Sequence, residues 1–293
     1  ENLIRSMMAL STSVRTNGIG VTNHAFFNSG ALAVLRSIDA LTTRDIGAQA
    51  SQLMALPPQL MGLPGRLLEG AVLPSLCRLC TTNSSLWTYT MPLCVFISGR
   101  CVSNSSYASV MEPFLRNALS KCGDGTSDCV LAFIRCMDHI FDKFDLSFVS
   151  ESCIKFLADV VEKGDNNVKS CAISVLCERK IRNTISKDAM CNLVLPMVCK
   201  EACKNNDSTV QCYGLYFMSL VVRQLDSHYI INNFLPSLKY IVVDHKNEAG
   251  VGSSADVLLG CAGVYQALGD ALGPAFMTKH ILPVMMIIMG HEN

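Results

Sequence analysis

Charge is scarce in this sequence. Only 16% of its 293 residues are Asp, Glu, Lys or Arg, against about 25% in an average soluble domain. The charges that remain cancel, with Lys+Arg 24 and Asp+Glu 24. A chain without net charge has no global field to draw in nucleic acid or an anionic membrane. Long apolar runs are missing too. The longest uncharged apolar stretches, 257–268 and 281–289, are far shorter than the ~20 residues that span a bilayer. No glycine-rich phosphate loop, His-Arg-Asp or Asp-Phe-Gly occurs, and no clathrin-box or Asn-Pro-Phe peptide is found. The start, Glu1-Asn2-Leu3-Ile4-Arg5, has neither an initiator Met nor the basic opening of a secretory leader. It reads as an internal piece of a longer soluble protein.

Apolar residues, by contrast, make up 50% of the chain, and cysteine is plentiful at 15. Most thiols, Cys171, Cys177, Cys191 and Cys261 among them, stand at helical spacing inside apolar runs. There they act as small core residues. That usage fits a reducing, cytosolic setting, in which the sequons at Asn83, Asn104 and Asn206 are chance matches.

The apolar residues are periodic. Val210, Tyr213, Gly214, Phe217, Met218, Val221 and Val222 fall on one face of an α-helix. The spacing returns from Val130, from Val168 and from Val257, and in a weaker copy from Leu86. These faces start at 86, 130, 168, 210 and 257, in steps of 44, 38, 42 and 47. A period near 40 with two helices in each period marks a HEAT array. The fold expected is therefore all-α, a HEAT-repeat α-solenoid of about five to six helix pairs.

Prolines run in step with the faces. Leu73-Pro74, Leu195-Pro196, Leu235-Pro236 and Leu282-Pro283 each sit in an aliphatic cluster, and Met111-Glu112-Pro113-Phe114 is a looser copy. A copy without its proline lies near Ile154, in Cys153-Ile154-Lys155-Phe156-Leu157. Proline is tolerated in a first helical turn, so each cluster is expected near the start of a first helix. Asp165-Asn166-Asn167-Val168 and Asp207-Ser208-Thr209-Val210 read as capped turns into the second helices. Gly123-Asp124-Gly125 is a looser turn at the matching place. The polar, glycine-containing segment 244–254 predicts an extended, mobile loop.

The first residues do not fit the repeat. Arg15 precedes His24-Ala25-Phe26-Phe27 by nine residues, after the apolar Leu3-Ile4-Arg5-Ser6-Met7-Met8. This resembles the end of a protein-kinase C-lobe, with Ala25 in place of the usual proline. The order continues through Phe26-Phe27-Asn28-Ser29-Gly30, Ile38-Asp39-Ala40-Leu41, Ser51-Gln52-Leu53-Met54 and Leu63-Pro64-Gly65-Arg66 to Val72-Leu73-Pro74. In that order the chain is similar to SCY1-like pseudokinases, most of all the clathrin-coated-vesicle-associated type, in which a degenerate kinase domain runs into HEAT repeats. The resemblance implies residues 1–28 as the end of a kinase-like lobe and 29–293 as the solenoid. It implies a protein-binding scaffold in coat- or clathrin-dependent traffic, cytoplasmic, on Golgi, endosomal or clathrin-coated vesicles through peripheral association. Coat or clathrin-adaptor components are the partners it implies. No catalysis is expected in this stretch, and any ATP would belong to the lobe before residue 1. Two alternatives stay open: the regulatory part of an active Ser/Thr kinase, and a HEAT scaffold of phosphatase-subunit or karyopherin type.

Chemistry-bearing clusters are few. Cys77-Arg78-Leu79-Cys80 is a lone C-x-x-C, and a zinc site needs four ligands. Cys199 and Cys203 lie one helical turn apart. Both pairs read as core packing. Asp138, His139, Asp142 and Asp145 fall within eight residues, and Asp138 and Asp142 share a helix face that suits a cation; a solvated helix end is the plainer reading. Glu178-Arg179-Lys180-Ile181-Arg182 is a basic cluster expected at a helix C-terminus, with an acidic peptide or phosphoinositide as a second use. No residue is assigned a catalytic, cofactor or metal role, and no residue is singled out as the partner-binding site.

Overall fold

The computed structural model describes residues 30–101, 103–121, 127–239, 255–283 and 286. The kinase-like end at 1–28, the Gly123–Gly125 turn and the 244–254 loop lie outside the described residues. Within them the chain is all-helical, and no strand is present. It divides into two compact units, Glu1–His139 and Ile140–Asn293.

The first unit opens with α1 (Gly30–Asp39), α2 (Ile46–Met54) and α3 (Pro57–Met61). Next come α4 (residues 65–82), α5 (Trp87–Ser98) and α6 (Asn104–Lys121). α4 packs on α1, α5 and α6, and α2 packs on α5. α7 (Ser127–Lys143) runs across the division between the units. In the first unit the Trp87 ring meets Phe133 edge-on at 4.9 Å, and its indole N–H donates to the Cys80 carbonyl at 3.0 Å.

The second unit holds α8 (146–163), α9 (Asn166–Cys177), α10 (Arg179–Thr184), α11 (187–204) and α12 (Ser208–Val221). It ends with α13 (227–239), α14 (Ala255–Leu272) and α15 (274–281). Two layers result. α8 packs on α11 and α11 on α13, while α9 packs on α12 and α12 on α14. Between the layers α8 meets α9 and α11 meets α12. The second helices start at 87, 127, 166, 208 and 255, in steps of 40, 39, 42 and 47. The first helices start at 65, 104, 146, 187, 227 and 274, in steps of 39, 42, 41, 40 and 47. The described residues thus hold five complete pairs and the first helix of a sixth. All five apolar faces read from the sequence fall on second helices.

Tyr213 is a correction to those faces. It is 38% exposed, while Val210, Gly214, Phe217, Met218 and Val221 are buried. Another correction concerns the prolines. They do not sit at helix starts. Pro74, Pro113, Pro196, Pro236 and Pro283 each come nine residues after their helix begins. Four of them follow a π-helical turn, at Leu68–Val72, Met190–Val194, Ile230–Phe234 and Met277–Ile281. A proline inside a helix lacks an N–H, and its ring clashes with the carbonyl four residues back. A π turn inserts one residue and opens that crowded place. The ring alone does not make the turn. In α8, Lys155 stands where the proline would be, yet Val149–Ile154 is π-helical.

The true starts are marked by short polar side chains. Ser103 accepts from Ser106 N at 3.1 Å, Asp145 from Phe148 N at 2.7 Å, and Ser186 from Ala189 N at 3.1 Å. Asp226 does the same with Tyr229 N at 2.7 Å. Each satisfies an N–H that has no partner within its helix. The expected second-helix caps are present as well. Asp165 accepts from Val168 N at 2.9 Å, and Asp207 from Thr209 N at 2.8 Å and Val210 N at 3.1 Å.

The pairs share cores with their neighbours, which gives two expected results. A peptide of residues 187–224, one helix pair alone, should be largely unfolded by circular dichroism, because α12 buries its faces on α9 and α14 as well as on α11. Cooperative melting of that peptide would contradict a shared core. The second concerns Gly214, where α11 and α12 approach closely. A Cβ there would lie 2.8 Å from Ala202 Cβ and 3.3 Å from its Cα. Helix propensity favours Ala over Gly by ~1 kcal/mol, but overpacking costs about 1–3 kcal/mol. Because a backbone carbon stands in the way, the clash should win. Gly214→Ala is expected to lower the urea midpoint, and a raised midpoint would show that the helices part freely.

Candidate functional site

Each chemistry-bearing cluster can be followed into the structure. Cys77 and Cys80 lie in α4, both buried. The Cys77 thiol donates to Met111 Sδ at 3.5 Å, and burial pushes the Cys80 thiol up to about 12. Cys199 and Cys203 lie in α11, also buried; Cys203 donates to the Ser237 carbonyl at 3.2 Å and is pushed up to about 12. Among the described residues no cysteine is joined in a disulfide. Among the described residues no group of three or more His, Cys, Asp or Glu side chains is placed to hold a metal ion. Nor, among them, is any helix long and apolar enough to cross a membrane.

The acidic cluster is divided among structural tasks. Asp138 and His139 belong to the first unit. Asp142 pairs with Lys180, and Asp145 caps α8. The basic cluster is not a helix C-terminus. Its residues begin a short helix of their own, α10, with Ile181 buried. Arg182 Nη1 reaches back to the Cys177 carbonyl at 2.7 Å and so closes α9. Two of the cluster's cations, Lys180 and Arg182, are thus engaged in holding the second unit together.

Three features of the second unit were not assigned from the sequence. One is a buried ion pair between layers. Lys169 Nζ of α9 lies 2.7 Å from Glu201 Oε2 of α11, with side chains only 12% and 9% exposed. Asn205 donates to the same Glu201 oxygen at 2.8 Å and to Asn166 Oδ1 at 3.1 Å, and accepts from Asp207 N at 2.8 Å. No spacing in one sequence announces a pair 32 residues apart. Another is a set of exposed aromatic and aliphatic side chains on the second helices. On α12, Tyr213 is 38% and Tyr216 56% exposed; on the adjacent α14, Leu259 is 73% exposed. A signal for Leu259 existed, since it falls off the stripe of Val257, Cys261 and Val264. The third is a groove of about 440 Å³ between α11 and α13, lined by Pro196, Cys199, Cys203, Phe234 and Pro236, with Lys200 and Lys204 along one edge.

The thiols have a consequence for pH. Burial holds Cys80, Cys177, Cys203 and Cys261 at about 12 in the folded chain, above their ordinary 9.0. Above pH 9 the unfolded chain loses these protons and the folded chain keeps them. Stability is then fully present below pH 9 and falls as pH rises toward 12. The urea midpoint should be lower at pH 10.5 than at pH 8, and an equal or higher midpoint would contradict the burial of these thiols.

Compared with known families and with curated proteins, the chain matches none. Among solved structures it is similar to one described as the crystal structure of Cex1p. The likeness has 13% sequence identity and a TM-score of 0.48, and it covers 92% of this chain and 53% of that one. The chain therefore spans about half the length of that protein.

Proposed function

We propose that this chain is the HEAT-repeat part of a SCY1-like pseudokinase, and that it works as a protein-binding scaffold in coat- or clathrin-dependent vesicle traffic. The observation that carries the binding role is the face of Tyr213, Tyr216 and Leu259, exposed on adjacent second helices. Aromatic side chains that stay in solvent on a packed helix pair supply large contact area at small entropic cost. A stacked array offers such a face over several repeats at once. The family assignment is supported by the order of residues from Arg15 and His24-Ala25-Phe26-Phe27 through the Leu-Pro clusters. Helix pairs recurring at steps near 40 are what a HEAT array requires. On this reading the stretch works in the cytoplasm, on Golgi, endosomal or clathrin-coated membranes, and it holds partners without reacting with them.

The test is affinity capture with this chain as bait, followed by mass spectrometry. Coat or clathrin-adaptor subunits are the expected catch. Phosphatase catalytic subunits or nuclear import cargo would overturn the trafficking reading.

A further inference from the structure

We infer that the groove between α11 and α13 docks a short acidic peptide with an apolar anchor residue. This goes beyond the scaffold reading and does not rest on it, since the groove lies on the first helices and the Tyr213–Leu259 face on the second. At about 440 Å³ the groove falls within the ~300–1,000 Å³ of ordinary ligand sites. It takes a few side chains, not a folded domain.

Its walls and floor are apolar. Pro196 and Pro236 stand at the same register position of consecutive first helices, both exposed, and Cys199, Cys203 and Phe234 lie between them. Burial keeps Cys203 a neutral thiol at neutral pH. The edge is positive. Lys200 and Lys204 are four residues apart on α11 and so share a face. None of the described residues lining the groove is acidic. The nearby carboxylate Glu201 is turned inward to Lys169. Glu162 of α8 reaches Lys200 only at 3.9 Å, between side chains 55% and 44% exposed. An ion pair that open to solvent contributes little and yields readily to a better partner. Asn233 and Ser237 of α13 add polar side chains on the other edge. An apolar residue would fit between the proline rings, with flanking carboxylates over the two lysines. Such a pattern selects by charge and register.

The probe is a fluorescein-labelled ten-residue peptide of alternating Glu and Leu, titrated with the whole chain and followed by anisotropy at 50 and 300 mM salt. Binding should weaken with salt, and the same peptide with Gln for Glu should bind markedly less. Lys200→Glu with Lys204→Glu should weaken binding roughly tenfold, the sum of two modest charge pairs. Asn233→Asp, a milder change at an exposed site, should weaken it in the same direction. Lys155→Glu with Lys163→Glu, on α8, should leave it unchanged. Undetectable binding, equal binding of the Gln peptide, or equal loss in the α8 variant would overturn the proposal. So would binding of phosphatidylserine–phosphatidylcholine vesicles, but not the peptide, through Lys200 and Lys204; the edge would then face a membrane.

Discussion

Glu201→Ala is expected to lower the unfolding free energy by about 3–5 kcal/mol, the range for removing one member of a buried ion pair. Lys169 would keep its charge inside the unit, 12% exposed, without the carboxylate that now lies 2.7 Å away. Asn205 would lose one acceptor while still holding Asn166. The pair joins the second helix of one repeat to the first helix of the next, so its loss acts on the stacking itself. The pair as a whole contributes much less than either deletion suggests, because burying two charges costs about what their attraction returns. Lys169→Met with Glu201→Leu should therefore recover most of the loss. Urea unfolding of the single and double variants measures both. A Glu201→Ala change within ~0.5 kcal/mol would mean that water reaches Lys169, contrary to the packing described.

Phe217→Ala should cost a similar ~3–5 kcal/mol, for a different reason. Phe217 is fully buried on α12, the helix that touches α9, α11 and α14 together. Neighbours on three sides cannot all relax into one vacancy, so a cavity persists and its lining loses dispersion contacts. Its sequence neighbour gives the contrast. Tyr216 is 56% exposed, and Tyr216→Ala should change stability by no more than ~0.5 kcal/mol. Adjacent aromatic residues on one helix thus separate core from surface. If Tyr216→Ala destabilised as strongly as Phe217→Ala, the face proposed for partners would be part of the core instead.

The second helices were legible because two independent signals agree on them. Their apolar stripes keep one phase throughout, and Asp165 and Asp207 mark where they begin. The first helices were legible in existence but not in extent. Where a π turn precedes the proline, as at Pro74, Pro196, Pro236 and Pro283, it inserts a residue and shifts the stripe, so the half before the proline does not line up with the half after it. The proline then looks like a beginning, when Ser186 and Asp226 already mark the start, as Asp145 does in α8, which has no proline. Those caps stood in the sequence as polar residues three positions before Phe148, Ala189 and Tyr229, and read as starts they give the full helices. Tyr213 was misplaced because a spacing of three from Val210 fits the stripe, though the helix turns it just past the edge. The Lys169–Glu201 pair and the α11–α13 groove each need two distant segments brought together, and local periodicity carries no information on that.

Binding through the second-helix face is tested most directly by measuring the affinity of the captured coat or adaptor subunit for two proteins: the unaltered chain, and a variant carrying Tyr213→Ser, Tyr216→Ser and Leu259→Ser. The three side chains lie on adjacent helices and in solvent, so the variant should melt at nearly the same temperature. The account predicts binding weaker by at least about tenfold with folding intact, as loss of aromatic anchors brings. Unchanged affinity in a folded variant would contradict it and move the partner to another surface.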